Sequence, residues 1–476
     1  MLFRQIFDPT LAQYSYLIGC QRTKQALIVD PERDIYRYVA LAAAEGLEIT
    51  TVTETHIHAD FLSGARDLGE ATGATVYLSD EGDTDWKYNW PQASSAEVRL
   101  VHDGDVFRAG QIELKVLHTP GHTPEHICFM VTDIGGGASE PMGILSGDFL
   151  FVGDLGRPDL LESAAGQVGA MEPAAGRLWD STHLLQPFAD LLQVWPAHGA
   201  GSACGKALGA VPTSTLGYER RFNASLVLAD SGRDAFVEGI LEGQPEPPLY
   251  FGRMKVENRD GTPAASELGP VTELDPGAFL TAAKADGAVV LDTRRDRDAY
   301  LGRHWEGTIW APWGGADFLA IAGSYVDPAE AIVLVADPAL GAEMARALYR
   351  IGLDRVVGIA SLGTLEAGLG TGAATIVSGD WETVRRQMDD PKVEVLDVRR
   401  ASEFAAGAVD GARNIAHTRL KARLDELDPG KEILVHCRTG RRATAAVSFL
   451  ERRGFDVVHI GSPIMDWKPE RAAAEG

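Results

Sequence analysis

The chain has 476 residues and a formal net charge of −24 at pH 7, with 45% hydrophobic and 24% charged residues. Its length predicts more than one domain, and its composition is that of a soluble globular protein. The acidic balance argues against nucleic acid or an anionic membrane as a partner, because both select clustered Lys and Arg, and no apolar run approaches the ~20 residues of a membrane-spanning helix.

Short apolar runs and the turns between them predict the elements of the first part of the chain. The runs at 26–29, 50–53 and 112–117 predict strands, and the opening stretch 1–19 predicts another strand rather than a secretory signal. A helix is predicted at 64–72. The proline-rich segment 244–248 can continue neither a helix nor a central strand, so it predicts the end of a first domain at 1–243.

The rest of the chain contains a weak internal repeat. The segment 290–295 matches 395–400, and Gly302 and Gly407 each stand ten residues after the aspartate of their copy. The apolar runs at 332–336 and 432–436 also match, and each precedes a helical stretch and a further matching run, at 351–357 or 453–458. Alternating strands and helices predict a small parallel α/β sheet in each copy, over 249–370 and 373–476, with a linker near 368–373.

A histidine string after the predicted strand at 50–53 is the strongest chemical signal. It runs Thr55-His56-Ile57-His58-Ala59-Asp60-Phe61. Further candidate ligands follow apolar stretches, as expected for a site built on loops at strand ends. They occur in the segments 119–122, 146–148, 156–159 and 196–198, which contribute His122, Asp148, Arg157 and His198. A lone histidine is most often structural, but these signals together predict a metal site.

The string resembles the metal-binding THxHxDH motif of the metallo-β-lactamase superfamily, and the whole set resembles its persulfide dioxygenase branch over about the first 240 residues. The resemblance implies an αββα sandwich with one Fe(II) per chain, held by His56, His122 and Asp148, and with the remaining positions open for O₂. Phe61 replaces the last histidine of the motif and cannot ligate a metal. The second metal of the superfamily's hydrolases therefore loses a ligand, which favours one metal over two.

Other polar residues of these segments receive supporting roles from the resemblance. His58, Asp60 and His198 are expected to hydrogen-bond metal-bound water or to orient a ligand imidazole. Arg157 either holds an anionic group of the substrate or serves the fold. Cys204, six residues after His198, either carries or receives a persulfide or is an inert apolar thiol.

The second chemical signal is the segment Cys437-Arg438-Thr439-Gly440-Arg441-Arg442, between a predicted strand at 433–436 and a predicted helix at 443–452. The helix N-terminus and the three arginines favour the thiolate, which is the reactive form of cysteine. Together with 396–400, Glu403 and 411–415, this segment resembles the rhodanese family of sulfurtransferases. The resemblance implies that Cys437 carries sulfur, that Arg442 assists it, and that Arg438 and Arg441 bind the anionic substrate.

Loop length and cysteine count refine this prediction. Four residues separate Cys437 from Arg442, whereas Cys-dependent phosphatases have a longer loop, so a sulfur carrier is favoured. The corresponding segment of the middle copy, 336–341, has neither a cysteine nor a basic cluster, which predicts a rhodanese-like domain without sulfurtransferase chemistry. The chain's four widely spaced cysteines form no metal or disulfide pattern and predict a reducing cytoplasm.

The order of the three parts resembles bacterial persulfide dioxygenase–rhodanese fusions. It implies that O₂ oxidises glutathione persulfide or a related thiol persulfide to sulfite, and that Cys437 passes sulfur to sulfite to give thiosulfate. Self-association into homo-oligomers is also expected. Two alternatives remain open: a zinc-dependent thioester hydrolase, similar to glyoxalase II, fused to a sulfurtransferase, and a sulfur-relay or binding protein without oxygenase activity.

Overall fold

The computed structural model describes residues 1–262, 270–315 and 317–468. Backbone contacts divide the chain into two compact units, Met1–Glu267 with Tyr349–Gly352, and Leu268–Leu348 with Leu353–Gly476. A helix over Phe251–Asp260 lies within the first unit, so the predicted boundary at 243–249 precedes the last described helix of that unit. The division into three domains stays a prediction. Within the described ranges, no helix combines the length and apolarity needed to cross a membrane.

Two sheets contain the named strands of residues 1–262. The first sheet holds, in chain order and in spatial order, β1 Leu2–Asp8, β2 Gln13–Cys20, β3 Gln25–Val29, β4 Glu48–Thr53, β5 Thr75–Ser79 and β6 Val98–Val101. The second sheet holds, also in that order, β7 Val106–Ala109, β8 Ile112–His118, β9 Ile127–Asp133, β10 Gly143–Gly147, β11 Gln193–Pro196 and β12 Ser214–Thr215. The neighbours from β3 to β6 are parallel, as are β10 and β11, and the other neighbouring pairs are antiparallel.

The helices of this unit cover the outer faces of the two sheets. They are α1 Tyr36–Ala44, α2 Ala65–Thr72, α3 Leu160–Ser163, α4 Met171–His183, α5 Leu216–Phe222, α6 Ala224–Ala229, α7 Arg233–Leu241 and α8 Phe251–Asp260. Side chains alternate between two cores along each strand. In β2, Tyr16 and Ile18 pack between the sheets, whereas Leu17 packs under α1 and α2 with Tyr38 and Leu68.

The second sheet shows the same alternation. Phe129 of β9 lies between the sheets, and its neighbour Met130 packs with Leu178 of α4 and Phe236 of α7. The layers therefore run helix, sheet, sheet, helix, and the predicted αββα sandwich is confirmed. The predicted strands at 26–29, 50–53 and 112–117 correspond to β3, β4 and β8, and the predicted helix at 64–72 to α2.

The remaining strands and helices alternate along the chain. The strands are β13 Ala288–Asp292, β14 His304–Trp305, β15 Ile309–Trp310, β16 Ala331–Val335, β17 Val356–Ala360, β18 Ala373–Ala374, β19 Val377–Gly379, β20 Val393–Asp397, β21 Arg413–Asn414, β22 Glu432–His436 and β23 Asp456–Ile460. The helices are α9 Pro276–Ala283, α10 Arg297–Gly302, α11 Asp317–Tyr325, α12 Gly341–Arg350, α13 Leu362–Leu369, α14 Trp381–Gln387, α15 Ala401–Ala405 and α16 Arg441–Arg452.

The internal repeat is a structural repeat. Among the described residues, one parallel sheet has the order β15-β13-β16-β17 and the other contains the matching order β21-β20-β22-β23. Just after β13 and just after β20, an arginine forms a paired salt bridge with the strand's last aspartate: Arg294 with Asp292, and Arg399 with Asp397. The predicted fold, a metallo-β-lactamase sandwich followed by rhodanese-like α/β domains, is confirmed.

Candidate metal centre and thiol loop

Three buried donors meet at one end of the sandwich. His56 follows β4, His122 lies between β8 and β9, and Asp148 directly follows β10. Their donor atoms all lie within 4.8 Å of one another, and each residue is 1% exposed. The structure thus brings together the three residues that were predicted to hold the metal.

Hydrogen bonds decide which imidazole nitrogen faces the cluster. His122 Nδ1 lies 3.1 Å from the carbonyl oxygen of Arg157, which can only accept, so Nδ1 carries the proton and Nε2 keeps its lone pair. Thr55 Oγ1 donates to Asp30 Oδ2 at 3.0 Å and can therefore accept from His56 Nδ1 at 2.9 Å. In both rings Nδ1 is held by a hydrogen bond, so Nε2 keeps the lone pair that could bind a metal. Metal-binding histidines commonly have this arrangement.

Burial keeps these rings neutral. It lowers the pKa of His56 well below its usual value and lowers that of His122 to about 4. Burial also raises the pKa of Asp148 well above its usual range, and the neighbouring Asp60 adds to this effect. The raised pKa means that burial favours the protonated form of Asp148. A divalent cation would instead favour the ionised carboxylate, because a nearby positive charge stabilises it. Two neutral imidazoles and one carboxylate form a donor set suited to a divalent metal.

Asp30 is a supporting residue that sequence reasoning missed. Its Oδ1 accepts from Thr55 N at 2.7 Å and lies 3.2 Å from His58 Nε2. The parallel pairing of β3 with β4 places Val29 opposite Thr53, so the residues that follow both strands meet at one end of the sheet. No local spacing connects Asp30 with the histidine string, which is why the sequence alone did not identify it.

His126 is a second supporting residue. Its Nδ1 lies 2.8 Å from Thr119 Oγ1, and its Nε2 accepts from the backbone N–H of Asp148 at 3.0 Å. The ring is fully buried and fixes the start of the loop that carries the Asp148 ligand. Its position four residues after His122 was the available signal.

A second group of buried donors lies beside Asp148. It consists of Asp60, His198 and Cys204, whose donor atoms also lie within 4.8 Å of one another. His198 Nε2 is 3.4 Å from Asp60 Oδ2 and 3.5 Å from Asp148 Oδ1. Burial, together with the charges of Asp60 and Asp148, raises the pKa of the Cys204 thiol well above its usual value.

His58 belongs to neither donor group. Its Nε2 contacts Asp30, and its ring lies 4.3 Å from that of Phe61, centroid to centroid. Burial alone would lower the pKa of His58, but the Asp30 carboxylate more than offsets burial and raises this pKa to about 9. Phe61 is fully buried and offers no donor atom.

Arg157 is tied into the protein. Its guanidinium donates to both carboxylate oxygens of Asp159 at 2.9 and 2.7 Å, to Ala203 O at 2.7 Å and to Pro245 O at 2.6 Å. These contacts occupy four of its five N–H donors. They support a role for Arg157 in the fold rather than in substrate binding, because one of them fixes Ala203, the residue before Cys204.

The thiol loop connects β22 to α16. Cys437 is 1% exposed, and the backbone N–H groups of Gly440 and Ala443 point to its sulfur at 3.2 and 3.4 Å. Gly440 takes φ = 91°, a left-handed conformation that glycine adopts without steric cost. Two N–H donors and the start of α16 thus converge on one buried sulfur, which favours negative charge there.

The three loop arginines have different surroundings. Arg442 makes a paired salt bridge with Glu403 at 2.5 and 2.9 Å, and Arg441 Nε contacts Asp317 of the middle copy at 2.8 Å. Burial would raise the pKa of Glu403, but the hydrogen bond and charge of Arg442 lower it to about 2. Arg438 is exposed.

The middle copy has no thiol at the equivalent strand end. Asp337 follows β16, and its side chain accepts from Ala339 N at 3.0 Å. A cavity of about 410 Å³ lies here, lined by residues that include Trp313, Asp337, Met344 and Arg295. The described residues of this loop offer no sulfur nucleophile.

Sequence profiles of two domain families match the chain. That of the metallo-beta-lactamase superfamily matches residues 8–186, and that of the rhodanese-like domain matches residues 380–468. A solved structure is also similar, the crystal structure of a metallo-beta-lactamase from Staphylococcus aureus subsp. aureus COL. The two sequences are 40% identical, the TM-score is 0.66, and the match covers 76% of this chain and 99% of that one.

Curated relatives match the first part of the chain. Hydroxyacylglutathione hydrolase of Rhodospirillum rubrum is 32% identical over 187 residues, covering 39% of this chain and 61% of the relative. Persulfide dioxygenase ETHE1, mitochondrial, of Bos taurus is 27% identical over 169 residues, covering 35% of this chain and 59% of the relative. The chain thus spans about 60% of the length of these curated relatives.

Fold, site and similarity agree on the class: the chain belongs to the metallo-beta-lactamase superfamily. Its described residues include a candidate metal-site donor set of two histidines and one aspartate. More particularly, it joins a metallo-beta-lactamase domain, which has persulfide dioxygenases among its homologues, to a C-terminal rhodanese-like domain. The predicted fusion architecture is confirmed.

Proposed function

We propose that the protein oxidises a low-molecular-weight thiol persulfide, such as glutathione persulfide, with Fe(II) and O₂ to give sulfite, and that its rhodanese-like domain converts sulfite to thiosulfate. The observation that carries the proposal is the presence in one chain of the His56, His122 and Asp148 donor set and of the buried Cys437 thiol. The similarity to persulfide dioxygenases supports the choice of substrate.

The donor set fits a single ferrous ion. His56 and His122 would each bind through Nε2, because their Nδ1 atoms are engaged, and Asp148 would bind through a carboxylate oxygen. A ferrous ion held by two imidazoles and a carboxylate leaves positions open and supplies O₂-activating redox chemistry. The protein's part is to keep both rings neutral and to shield the reaction from bulk water.

The first reaction balances with O₂ and one water. In RSSH + O₂ + H₂O → RSH + HSO₃⁻ + H⁺, the terminal sulfur is oxidised, the S–S bond breaks and the thiol leaves. The buried surroundings of Asp148 and His122 favour an uncharged or metal-paired state of each group.

The second reaction takes place at Cys437. The Cys437 thiolate would attack the outer sulfur of a persulfide, which breaks the S–S bond and releases the thiol. Sulfite would then attack the outer sulfur of the Cys437 persulfide to give thiosulfate and the free Cys437 thiolate. The N–H groups of Gly440 and Ala443 are placed to stabilise the negative sulfur, while the Glu403 salt bridge holds Arg442 beside the loop. This assigns Cys437 as the nucleophile and Arg442 as its neighbouring cation.

One specific observation favours an alternative function. Asp60, His198 and Cys204 form a second donor group, and a hydroxyacylglutathione hydrolase is among the relatives. A zinc-dependent thioester hydrolase fused to a sulfurtransferase would use two metals to activate water. The dioxygenase remains the preferred function because only this reaction makes the sulfite that the rhodanese-like domain consumes.

Oxygen uptake tests the proposal directly. Fe(II)-loaded protein is given glutathione persulfide, O₂ is followed with an electrode, and sulfite and thiosulfate are quantified. We expect uptake with thiosulfate as the main product. Asp148→Ala should abolish iron binding and uptake but keep transfer of sulfur from thiosulfate, whereas Cys437→Ser should keep uptake and accumulate sulfite.

Two outcomes would count against this assignment. Hydrolysis of a glutathione thioester by zinc-loaded protein, without O₂ uptake by iron-loaded protein, would favour the hydrolase. Sulfur transfer that survives Cys437→Ser would refute the role of Cys437. The four cysteines are free, which is compatible with the proposed location in a reducing cytoplasm, and self-association stays a prediction.

A further inference from the structure

The thiol loop receives a hydrogen bond from the middle copy that lies outside the proposed reaction. Arg297, the first residue of α10, donates from Nη1 to the carbonyl oxygen of Thr439 at 2.9 Å. Both residues belong to the second compact unit of the chain. The arginine is largely covered, with 30% of its side chain exposed. A cation of one copy thus contacts the backbone of the loop that carries the thiol of the other copy.

The oxygen of Thr439 and the N–H of Gly440 belong to the same peptide group. The N–H donates to Cys437 Sγ at 3.2 Å, while the oxygen accepts from Arg297. Because a peptide group is planar, a hydrogen bond that fixes its oxygen also fixes the direction of its N–H. Consecutive hydrogen bonds polarise one another, and a charged donor strengthens the effect. The guanidinium therefore both orients and polarises the N–H that faces the sulfur.

The other side of Gly440 is held by α16 and β23. Its carbonyl oxygen accepts from N and Oγ1 of Thr444, both at 2.9 Å, and lies 3.1 Å from His459 Nε2. Burial lowers the pKa of His459 to about 4, so this ring is neutral and adds no charge to the loop at neutral pH. These contacts fix the peptide group after Gly440, whereas Arg297 fixes the group before it, which is the one that faces Cys437.

The charges around the contact leave Arg297 available to act on the loop. Its Nε lies 3.2 Å from a carboxylate oxygen of Asp298, but that side chain is 82% exposed, so water and salt screen the pair. Two arginines of the loop itself, Arg441 and Arg442, are each paired with a carboxylate. Arg297 is therefore a further cation at the loop, and it is directed at the backbone.

The internal repeat shows that this arginine belongs to the middle copy only. Asp292 corresponds to Asp397, so the position of Arg297 corresponds to that of Ser402. The copy without a thiol at its loop thus carries the arginine, whereas the copy with the thiol has a serine there. The difference is the one expected if the middle copy serves the thiol loop of the other.

We propose that Arg297 is a positioning residue for Cys437, so that the middle copy completes the thiol loop by orienting the peptide group between Thr439 and Gly440. The inference rests on the proposed sulfur transfer at Cys437 and gives the middle copy a part in it. Without Arg297 the N–H of Gly440 is less polarised and free to turn, and a negative sulfur is stabilised less well.

Alkylation of Cys437 by iodoacetamide tests this role without relying on enzyme activity, because the thiolate is the form that reacts. The full-length wild-type chain is compared with Arg297→Gln, which removes the charge but keeps a polar side chain, over a series of pH values. Mass spectrometry quantifies the modified peptide that contains Cys437. At neutral pH we expect the rate in Arg297→Gln to fall about fivefold to tenfold, the contribution of one such hydrogen bond, with the rise in rate displaced to higher pH.

Sulfur transfer from thiosulfate to cyanide should fall by a similar factor in the same variant. Arg297→Lys keeps a cationic donor but not the planar guanidinium, so both of its rates should lie between those of the wild type and Arg297→Gln. This partial recovery would separate the effect of the charge from a general loss of packing.

The matched control is Arg452→Gln. Arg452 ends α16 and donates to the carbonyl oxygens of Gly307 and Ala288 of the middle copy, at 3.2 and 2.9 Å. It joins the same two copies, but at the end of the helix opposite the thiol loop. We expect this variant to keep the wild-type dependence of alkylation on pH, even if it unfolds at a lower temperature.

Three results would overturn the proposal. They are an unchanged pH dependence in Arg297→Gln, an equal displacement in Arg452→Gln, and an Arg297→Lys variant that reacts no faster than Arg297→Gln. A wild-type chain that transfers no sulfur from thiosulfate would refute the proposed function instead, and the alkylation rates would still decide the role of Arg297. Thermal unfolding by circular dichroism shows whether each variant is folded, and Arg297→Lys against the wild type decides the outcome if Arg297→Gln is not.

Discussion

At the scale of single residues, Asp30 shows how the candidate metal ligands are held. It has φ = 51°, a left-handed conformation that is rare outside glycine and tolerated best by Asn and Asp. Its carboxylate accepts from the backbone and side chain of Thr55, the neighbour of His56, and also contacts His58. The orientation of one ligand ring thus depends on a carboxylate that does not belong to either donor group.

Asp30→Asn tests this dependence with little change to the backbone, because asparagine also accepts the left-handed conformation. The variant loses the negative charge that faces Thr55 and His58. We expect its affinity for Fe(II) to fall about tenfold or more, while sulfur transfer at Cys437 is unchanged. Competition with a colorimetric Fe(II) chelator measures the affinity.

Asp105→Asn is the control for this change, since Asp105 is exposed and caps a turn at His102 in the same domain. Equal iron affinity in Asp30→Asn and the control would show that Asp30 does not position the ligands. A fall in sulfur transfer would instead indicate general damage to the chain.

Sequence analysis located candidate donors where the signal was local. The strings around His56, His122 and Asp148 pointed to donors that the structure brings together. Two features had no local signal: the contact of Asp30 with Thr55 depends on strand pairing, and the approach of Cys204 to Asp60 depends on the path of a loop. Such contacts join distant parts of the chain, so no periodicity or spacing could reveal them.

At the scale of elements, the thiol loop depends on how α16 begins. The apolar pattern predicted a helix from 443, whereas α16 begins at Arg441. The first turn is basic and its N-cap is Gly440 in a left-handed conformation, so the hydrophobic pattern could not mark the start. This start aims the N–H groups of Gly440 and Ala443 at Cys437.

Gly440→Ala tests the importance of that start. A side chain at φ = 91° is strained by roughly 1–2 kcal/mol, and its Cβ would collide with the guanidinium of Arg297, which donates to Thr439 O at 2.9 Å. We expect most of the sulfur transfer between thiosulfate and cyanide to be lost, whereas O₂ uptake by the iron-loaded protein is retained.

Gly454→Ala is a matched control, because Gly454 has φ = 82° with no atom within 4 Å of the added Cβ. It carries the same kind of backbone strain at a position away from Cys437. If both variants lost sulfur transfer to the same extent, general destabilisation and not the geometry of the loop would explain the loss.

The repeat also shows which parts of an element follow from sequence. The matching aspartates, Asp292 and Asp397, end equivalent strands, as the matched segments predicted, and the structure shows that each holds an arginine. The contact of Arg441 with Asp317 was not predicted, since it joins the thiol loop to the middle copy. Local chemistry was therefore recognisable in each copy, whereas contacts between the copies required the structure.

At the scale of the whole molecule, the chain combines a metallo-beta-lactamase domain and a rhodanese-like domain, and the proposed reactions are consecutive. In this proposal, sulfite is the product of one site and the acceptor of sulfur at the other. Joining two such sites in one chain raises the effective concentration of the shared intermediate. We expect the joined sites to form thiosulfate faster than separate sites while the concentration of sulfite in solution is still low.

Complementation in trans measures this advantage. A mixture of Asp148→Ala and Cys437→Ser chains contains both working sites, but never in the same chain. Early in the reaction, before sulfite accumulates, we expect the mixture to form thiosulfate more slowly than the same concentration of wild-type chain, and its rate should rise with protein concentration more steeply than that of the wild type. Rapid quenching with quantification of sulfite and thiosulfate gives both rates. Equal early rates would show that sulfite equilibrates with solvent before it is used, so that the fusion ensures equal amounts of the two activities but does not channel the intermediate.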